Sequence, residues 1–182
     1  MSALNIPLWY DFLGRMFRRE FDLSNLYVPQ KPAYQCRPLI NPLGITNNQV
    51  FEVCTKRFHG KTWRYINDLG TVHDIVERPD RPYVIWVRDT VEADEEMQGK
   101  SAEDIAKEKI NTETLFERQL HELKFFDEIA EHLDIKNLTL CAGSRSAGGS
   151  VPSCYWFGVE FYVSATYVAG AGPALRARVV VS

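Results

Sequence analysis

Residues 141–182 read CAGSRSAGGSVPSCYWFGVEFYVSATYVAGAGPALRARVVVS. Between Ser144 and Ala174 the charged side chains are Arg145 and Glu160 alone. At the usual charged fraction of ~25%, a stretch of that length would hold roughly eight. Lys, Gln, Met, Asn, Asp and His do not occur in it; Ser, Gly, Ala, Val, Tyr and Phe surround a single Trp. Such a set fits a glycine-rich core. It also fits a binding surface, because paratope-like surfaces combine small residues with aromatics. The function turns on which of the two it is.

The segments before it are more ordinary. Trp9, Phe12, Leu13, Met16, Phe17 and Phe21 recur at three- and four-residue steps and predict a helix over 7–22. Pro29, Pro32, Pro38 and Pro42 forbid a helix over 27–45. Thr46 or Asn47 caps a short helix to about Lys56, and Thr62 is read as the cap of a second through Trp63, Tyr65 and Ile66. Thr71–Glu77 and Tyr83–Arg88 read as two strands of a hairpin turned at 78–82. The acidic run at 92–96 reads as solvated. A longer helix is expected over 113–133, capped by Thr112 or Thr114, with Leu115, Leu120, Leu123, Phe126, Ile129 and Leu133 as its apolar stripe. Leu138–Cys141, Trp156–Val163 and Ala177–Val181 read as strands. Helices early and short strands late predict an α+β fold.

Length and composition fit one domain, with a scaffold portion at 1–140 and a distinct region at 141–182. The net charge of -3 argues against a nucleic-acid partner, which selects for basic stripes. No apolar run reaches the ~20 residues of a membrane span. The first residues show no basic region followed by an apolar stretch and a cleavage site, so the chain is expected to be made in the cytoplasm without a secretory signal. Display on a cell surface or a phage particle stays open. Cys36, Cys54, Cys141 and Cys154 form no CxxC pair and are expected reduced and buried.

The search for chemistry is mostly negative. There is no GxxxxGK[ST] loop, no GxSxG elbow and no HExxH pair. His73 and Asp74 are neighbours, and on a strand they point to opposite faces. Residues 143–150 offer a Gly/Ser loop whose amides could cradle an anion, which gives an alternative reading as a small-molecule or nucleotide-binding enzyme. A structural or assembly protein is a third reading. Arg176 and Arg178 alternate on a predicted strand, free to be exposed or to pair with the acidic middle section. No catalytic residue, metal ligand or cofactor is assigned.

The frame CAGSR…G..VP…W…FYV…LRARVVVS resembles the C-termini of variable proteins of diversity-generating retroelements, found in bacteria, archaea and their phages. The resemblance extends more loosely to YVIWVRDTVEADEE and HLDIKNLTLCAGSR. It implies a C-type-lectin-like fold without a calcium requirement. It also implies a non-enzymatic ligand-binding function, with an unknown protein or surface ligand as partner. In such systems adenines of template codons, AAC or AAT, are replaced. Lys, Gln, Glu, Met and Trp cannot result, and between Ser144 and Ala174 only Trp156 and Glu160 break that limit. On this resemblance Trp156, Phe161, Tyr162, Val163, Leu175 and Val179–Val181 are frame. The diversified, ligand-binding positions are Ser146, Ala147, Gly149, Ser150, Ser153, Tyr155, Phe157, Gly158, Val159, Ser164, Ala165, Tyr167, Ala169 and Gly170.

Overall fold

Arginine and carboxylate side chains, together with apolar ones, fill the middle of this molecule. The computed structural model describes residues 4–182, a mixed α/β fold. Helix α1 (Ile6–Phe17) is capped by the Asn5 side chain and buries Trp9, Phe12 and Leu13. It stops at Arg18, which adopts a left-handed conformation (φ 54°), so the predicted extension to residue 22 fails and Phe21 lies beyond the helix. Strand β1 (Cys36–Asn41) follows the proline-rich stretch, and α2 (Asn47–Arg57) begins at a Thr46–Gln49 capping box.

The helix expected from Thr62 is a strand, β2 (Thr62–Arg64), running parallel to a strand near the C-terminus. Trp63 and Tyr65 alternate with Thr62 and Arg64 at the strand period, and the tertiary partner decides the conformation. The expected hairpin over 71–88 is also absent. Strand β3 (His73–Asp74) is two residues long and pairs with β6 (Ser144–Arg145), whereas β4 (Tyr83–Arg88) pairs with β1. The Arg78 guanidinium between them is anchored inward on Glu117 at 2.7 Å.

The short helix α3 (Ala102–Lys107) precedes α4 (Leu115–Ile129), whose N-terminus is closed by a Thr114–Glu117 capping box. The helix ends at Ala130 (φ 59°), short of the predicted residue 133. It is not a one-sided amphipathic helix. Residues 115–125 are all buried, among them Glu117, Arg118, Gln119, His121, Glu122 and Lys124, while Ile129 of the predicted stripe is exposed.

Strand β5 (Leu138–Leu140) leads to β7 (Val151–Phe157) and β8 (Glu160–Thr166), and then to β9 (Leu175–Arg176) and β10 (Val180–Val181). The stretch 156–163, read as one strand, is a hairpin corner: β7 and β8 turn at Gly158, whose φ of +61° suits a residue without a Cβ. The larger sheet runs β2-β8-β7-β5-β9 and a second runs β1-β4-β10. Phe161, Val163 and Cys154 of the hairpin's inner face join Leu120 and Leu123 of α4 and Phe58 in the main core. All four cysteines are free and buried; Cys141 and Cys154 lie 3.9 Å apart, sulfur to sulfur.

One buried carboxylate joins these parts. Asp134 Oδ1 accepts from the Ala93 amide (2.9 Å) and from Arg178 Nη2 (2.7 Å). Its Oδ2 meets Arg118 Nη2 (2.8 Å) and accepts from the Thr139 hydroxyl. Its backbone carbonyl accepts from the Trp156 amide of β7 at 3.1 Å. Burial alone would raise this carboxyl, but the Arg178 and Arg118 guanidiniums outweigh burial and hold it below its usual range. Arg178 is thus buried, not exposed, and its partner is Asp134, not the acidic run. It also donates to the Thr90 and Val91 carbonyls. The acidic run is not simply solvated. Asp94 is buried and accepts from the Val179 amide at 2.7 Å, and Glu92 accepts from the Lys136 and Asn137 amides.

A second buried pair has a pH signature. Glu113 Oε1 lies 2.8 Å from His121 Nδ1, and both side chains are without exposure. Burial pushes Glu113 up to about 8 and holds His121 well below its usual 6.5, with Arg178, Arg37 and Arg118 adding to the depression. Folded, both are neutral at pH 7. Unfolded, they titrate near 4.5 and 6.5. Between those values the pair binds the same number of protons in both states. Above 6.5 the folded state holds the extra proton, so the pair's contribution falls as pH rises toward 8; below 4.5 the unfolded state holds it, so the contribution falls as pH drops. Urea midpoints measured from pH 6.5 to 8 are therefore expected to decline less in Glu113→Gln than in the parent.

Candidate functional site

Alternation along β7 and β8 divides the hairpin into two faces. Cys154, Trp156, Phe161 and Val163 point inward. Trp156 stacks on His132 with ring centroids 3.3 Å apart, and Phe58 meets it edge-on at 5.6 Å. The outer face carries Tyr155 and Phe157 on β7, opposite Tyr162 and Glu160 on β8. Tyr155 and Tyr162 stack at 5.3 Å with ring planes 12° apart. Phe157 meets Tyr162 edge-on at 6.3 Å. The edge strand β2 extends the row, because Trp63 is in register with Tyr162 and its ring lies 5.3 Å away. Tyr65 continues it, 6.4 Å from Trp63.

Tyr155 and Tyr162 are half-buried within the row, and the rings around them stay open to water. Trp63, Tyr65 and Phe157 are 43%, 68% and 69% exposed, and Tyr167, past the end of β8, is 87% exposed. Scattered surface aromatics are ordinary; a contiguous row of them on a sheet face is less so. The Tyr162 hydroxyl donates to Glu160 at 2.9 Å, which fixes the ring and holds its phenol above the usual value. The row is otherwise uncharged. It offers flat apolar area interrupted by phenol hydroxyls.

The sequence-derived set lands unevenly on this surface. Tyr155, Phe157 and Ser164 share the outer face, and Val159 and Gly158 form the hairpin tip. Ala165 alternates onto the face of Phe161 and Val163 and is half-buried. Ala147, Gly149 and Ala169 are exposed in loops, and Ser150 is half-buried. Two members are not displayed: Ser153 is 1% exposed and Ser146 is 8% exposed. Three glycines carry backbone constraints. Gly149 and Gly158 have φ of +81° and +61°, and a Cβ on Gly170 would fall 2.6 Å from Thr166 Cγ2 and 2.9 Å from the Tyr167 carbonyl oxygen. Tyr162, a frame residue on the resemblance, is at the centre of the row instead. Trp63 and Tyr65 were not in the set at all. Their i,i+2 spacing was the available signal, masked by reading Thr62 as a helix cap.

The Gly/Ser loop at 143–150 closes on itself. The Ser146 amide donates to the Ser150 carbonyl, the Gly149 amide to the Ser146 carbonyl, and the Ser150 amide to Ser146 Oγ. Arg145 donates to the carbonyls of Ala142 and Ser144. Ser144 Oγ accepts from the Leu115 amide at the start of α4 and donates to Asp74. The loop amides and hydroxyls that an anion would need are largely engaged. Among the described residues no group of three His, Cys, Asp or Glu side chains is placed to hold a metal ion, and no helix is long and apolar enough to cross a membrane.

No family model matches the chain, and neither curated proteins nor solved structures yield a match.

The burial pattern separates positions that tolerate a new side chain from those that do not. Ser153→Tyr and Gly170→Ala are each expected to cost ~1–3 kcal/mol by overpacking. Ala169→Tyr, at an exposed position, is expected to stay within ~0.5 kcal/mol. Urea unfolding of the three variants checks the order.

Proposed function

We propose that this chain is a non-enzymatic ligand-binding protein whose C-terminal surface is diversified by a retroelement on a C-type-lectin-like scaffold. The observation that carries the reading is the outward aromatic row on the β7–β8 hairpin, which coincides with the stretch that lacks Lys, Gln and Met. The mixed α/β architecture with several small sheets is compatible with that scaffold. A surface that must accept many side chains cannot be part of the core, where single methylenes matter. It needs rigid strands beneath it. Here the inner face, Cys154, Phe161 and Val163, supplies the rigidity while the outer face is free to change.

The aromatics Tyr155, Phe157 and Tyr167 are the anchors of this variant, giving contact area at low cost in conformational entropy. Trp63 and Tyr65, encoded far upstream, are the constant part of the platform. The ligand is a protein or cell-surface molecule with an exposed apolar patch, since the row carries little charge. Turn positions fit the same scheme. Adenine replacement yields Asn, Asp and Gly among its products, the residues that accept a left-handed conformation such as that of Gly149 and Gly158.

Sequencing the 3′ end of this gene across a natural population tests the reading. Substitutions are expected at Tyr155, Phe157, Val159, Ser164, Tyr167 and Ala169, traceable to adenines in a nearby template copy, with Ser153, Phe161 and Val163 constant. Substitutions spread evenly along the chain, as frequent in α4 as in the β7–β8 hairpin, would sink it.

A further inference from the structure

Away from the aromatic row, a groove of about 520 Å³ lies between the C-terminal end of α1 and the outer side of α2. Met16, Phe17, Ile45 and Val53 line it, each half-buried. Around them stand Arg18, Arg19, Lys56, Arg57 and His59, all exposed, and Glu52 is the single carboxylate of the lining. Part of this charge is already neutralised, because Asp127 meets Arg15 at 2.9 Å and Arg57 at 3.5 Å. Arg19 donates to the Gly44 carbonyl and lies over the Phe21 ring. Arg18 and Lys56 enter no salt bridge among the described residues. The groove is therefore cationic in a chain whose net charge is -3.

A bland origin exists for some of these cations. Lys56 and Arg57 sit in the last turn of α2 and Arg15 in that of α1, where a positive charge gains ~0.3–1 kcal/mol from the helix dipole. The dipole does not account for apolar side chains left half-open between the two cationic rims. We propose that the groove docks an acidic segment of a partner protein, with one apolar side chain inserted between Phe17 and Val53 and its carboxylates on Arg18 and Lys56. The match is of charge and of shape together. A bilayer surface meets protruding side chains, not a concavity. A nucleic-acid backbone would set phosphates against the apolar floor. An amphipathic acidic peptide satisfies both parts, as in other grooves that read a helix by its anchors. The groove is built from residues 15–59, outside the hairpin, so it would hold a fixed partner whatever the aromatic row binds.

The test is panning a random peptide library against the full chain, with counter-selection on Arg18→Glu/Lys56→Glu. Both sites are exposed, and far-UV circular dichroism with a melting curve verifies that the variant is folded. The proposal expects an acidic, apolar-anchored class of peptide that the parent keeps and the variant loses. For a synthetic member of that class, fluorescence anisotropy should show at least ~10-fold weaker binding to the variant and weakening with added salt, as exposed charge pairs are screened. Val53→Asp should weaken it as well while leaving both cations in place. An acidic, apolar-anchored class bound equally by parent and variant overturns the proposal, as does the absence of any acidic class; other peptides bound equally by both belong to the aromatic row. Phosphatidylserine vesicles or an oligonucleotide bound by the parent, lost by the variant and accompanied by no acidic peptide class would assign the groove to that other partner.

Discussion

Asp134 has no solvent contact and carries its charge in the middle of the protein, between Arg118 of α4 and Arg178 of the C-terminal segment. Through it five stretches meet: α4, the 91–94 segment, β5 by Thr139, β7 by the Trp156 amide, and the C-terminal segment by Arg178. An isolated buried carboxylate would cost several kcal/mol, so each partner is obligatory once the others are present. Buried ion pairs add little net stability relative to well-packed apolar residues, but breaking one leaves an uncompensated charge. The cluster acts as a register pin, because shifting any of these segments would leave a buried charge without its partner.

The position of that pin explains the division of labour in the β7–β8 hairpin. The inner face rests on α4 and on the Trp156–His132–Phe126 stack, and His132 in turn is held by Glu122 at 2.9 Å, the carboxylate that also meets Arg118. Beyond its ladders with β2 and β5, the hairpin is restrained from beneath. The outer face contributes no hydrogen bond to the framework except within itself, as between Tyr162 and Glu160. From Tyr155 to the hairpin tip, side chains on this face are therefore largely decoupled from folding, as the proposed display surface requires, whereas Val151 at the far end is buried in the second apolar cluster. Ser153 and Gly170 mark where that freedom ends, since one is buried and the other has no room for a Cβ.

Much of the framework is legible from local chemistry. The Thr46 and Thr114 caps, the strand at 83–88 and the buried cysteines follow from side-chain type and short-range pattern. What was not legible depends on partners far along the chain. Residues 62–64 form a strand because β8, far along the chain, offers a ladder. Residues 71–77 shrank to a two-residue strand paired with β6. The charges of α4 gave the helix a polar face on paper, and only the arrival of Arg78, Arg178 and Asp134 makes their burial affordable. The aromatic row was half visible, through Tyr155 and Phe157. Its other half, Trp63 and Tyr65, required knowing which strand β2 would join.

The central claim is that the buried Asp134 cluster, and not the outer face, sets the stability of the hairpin. The direct measurement is urea unfolding of two variants beside the parent: Arg178→Met, and a triple replacement of Phe157, Val159 and Tyr167 by serine. The account predicts a loss of ~3–5 kcal/mol for Arg178→Met, as for a buried pair deprived of one partner. It predicts about 1.5 kcal/mol or less for the triple variant, the sum expected of three exposed sites. The opposite order, with the triple variant unfolded and Arg178→Met near the parent, would mean that the aromatic surface is part of the core and that the division between framework and display does not exist.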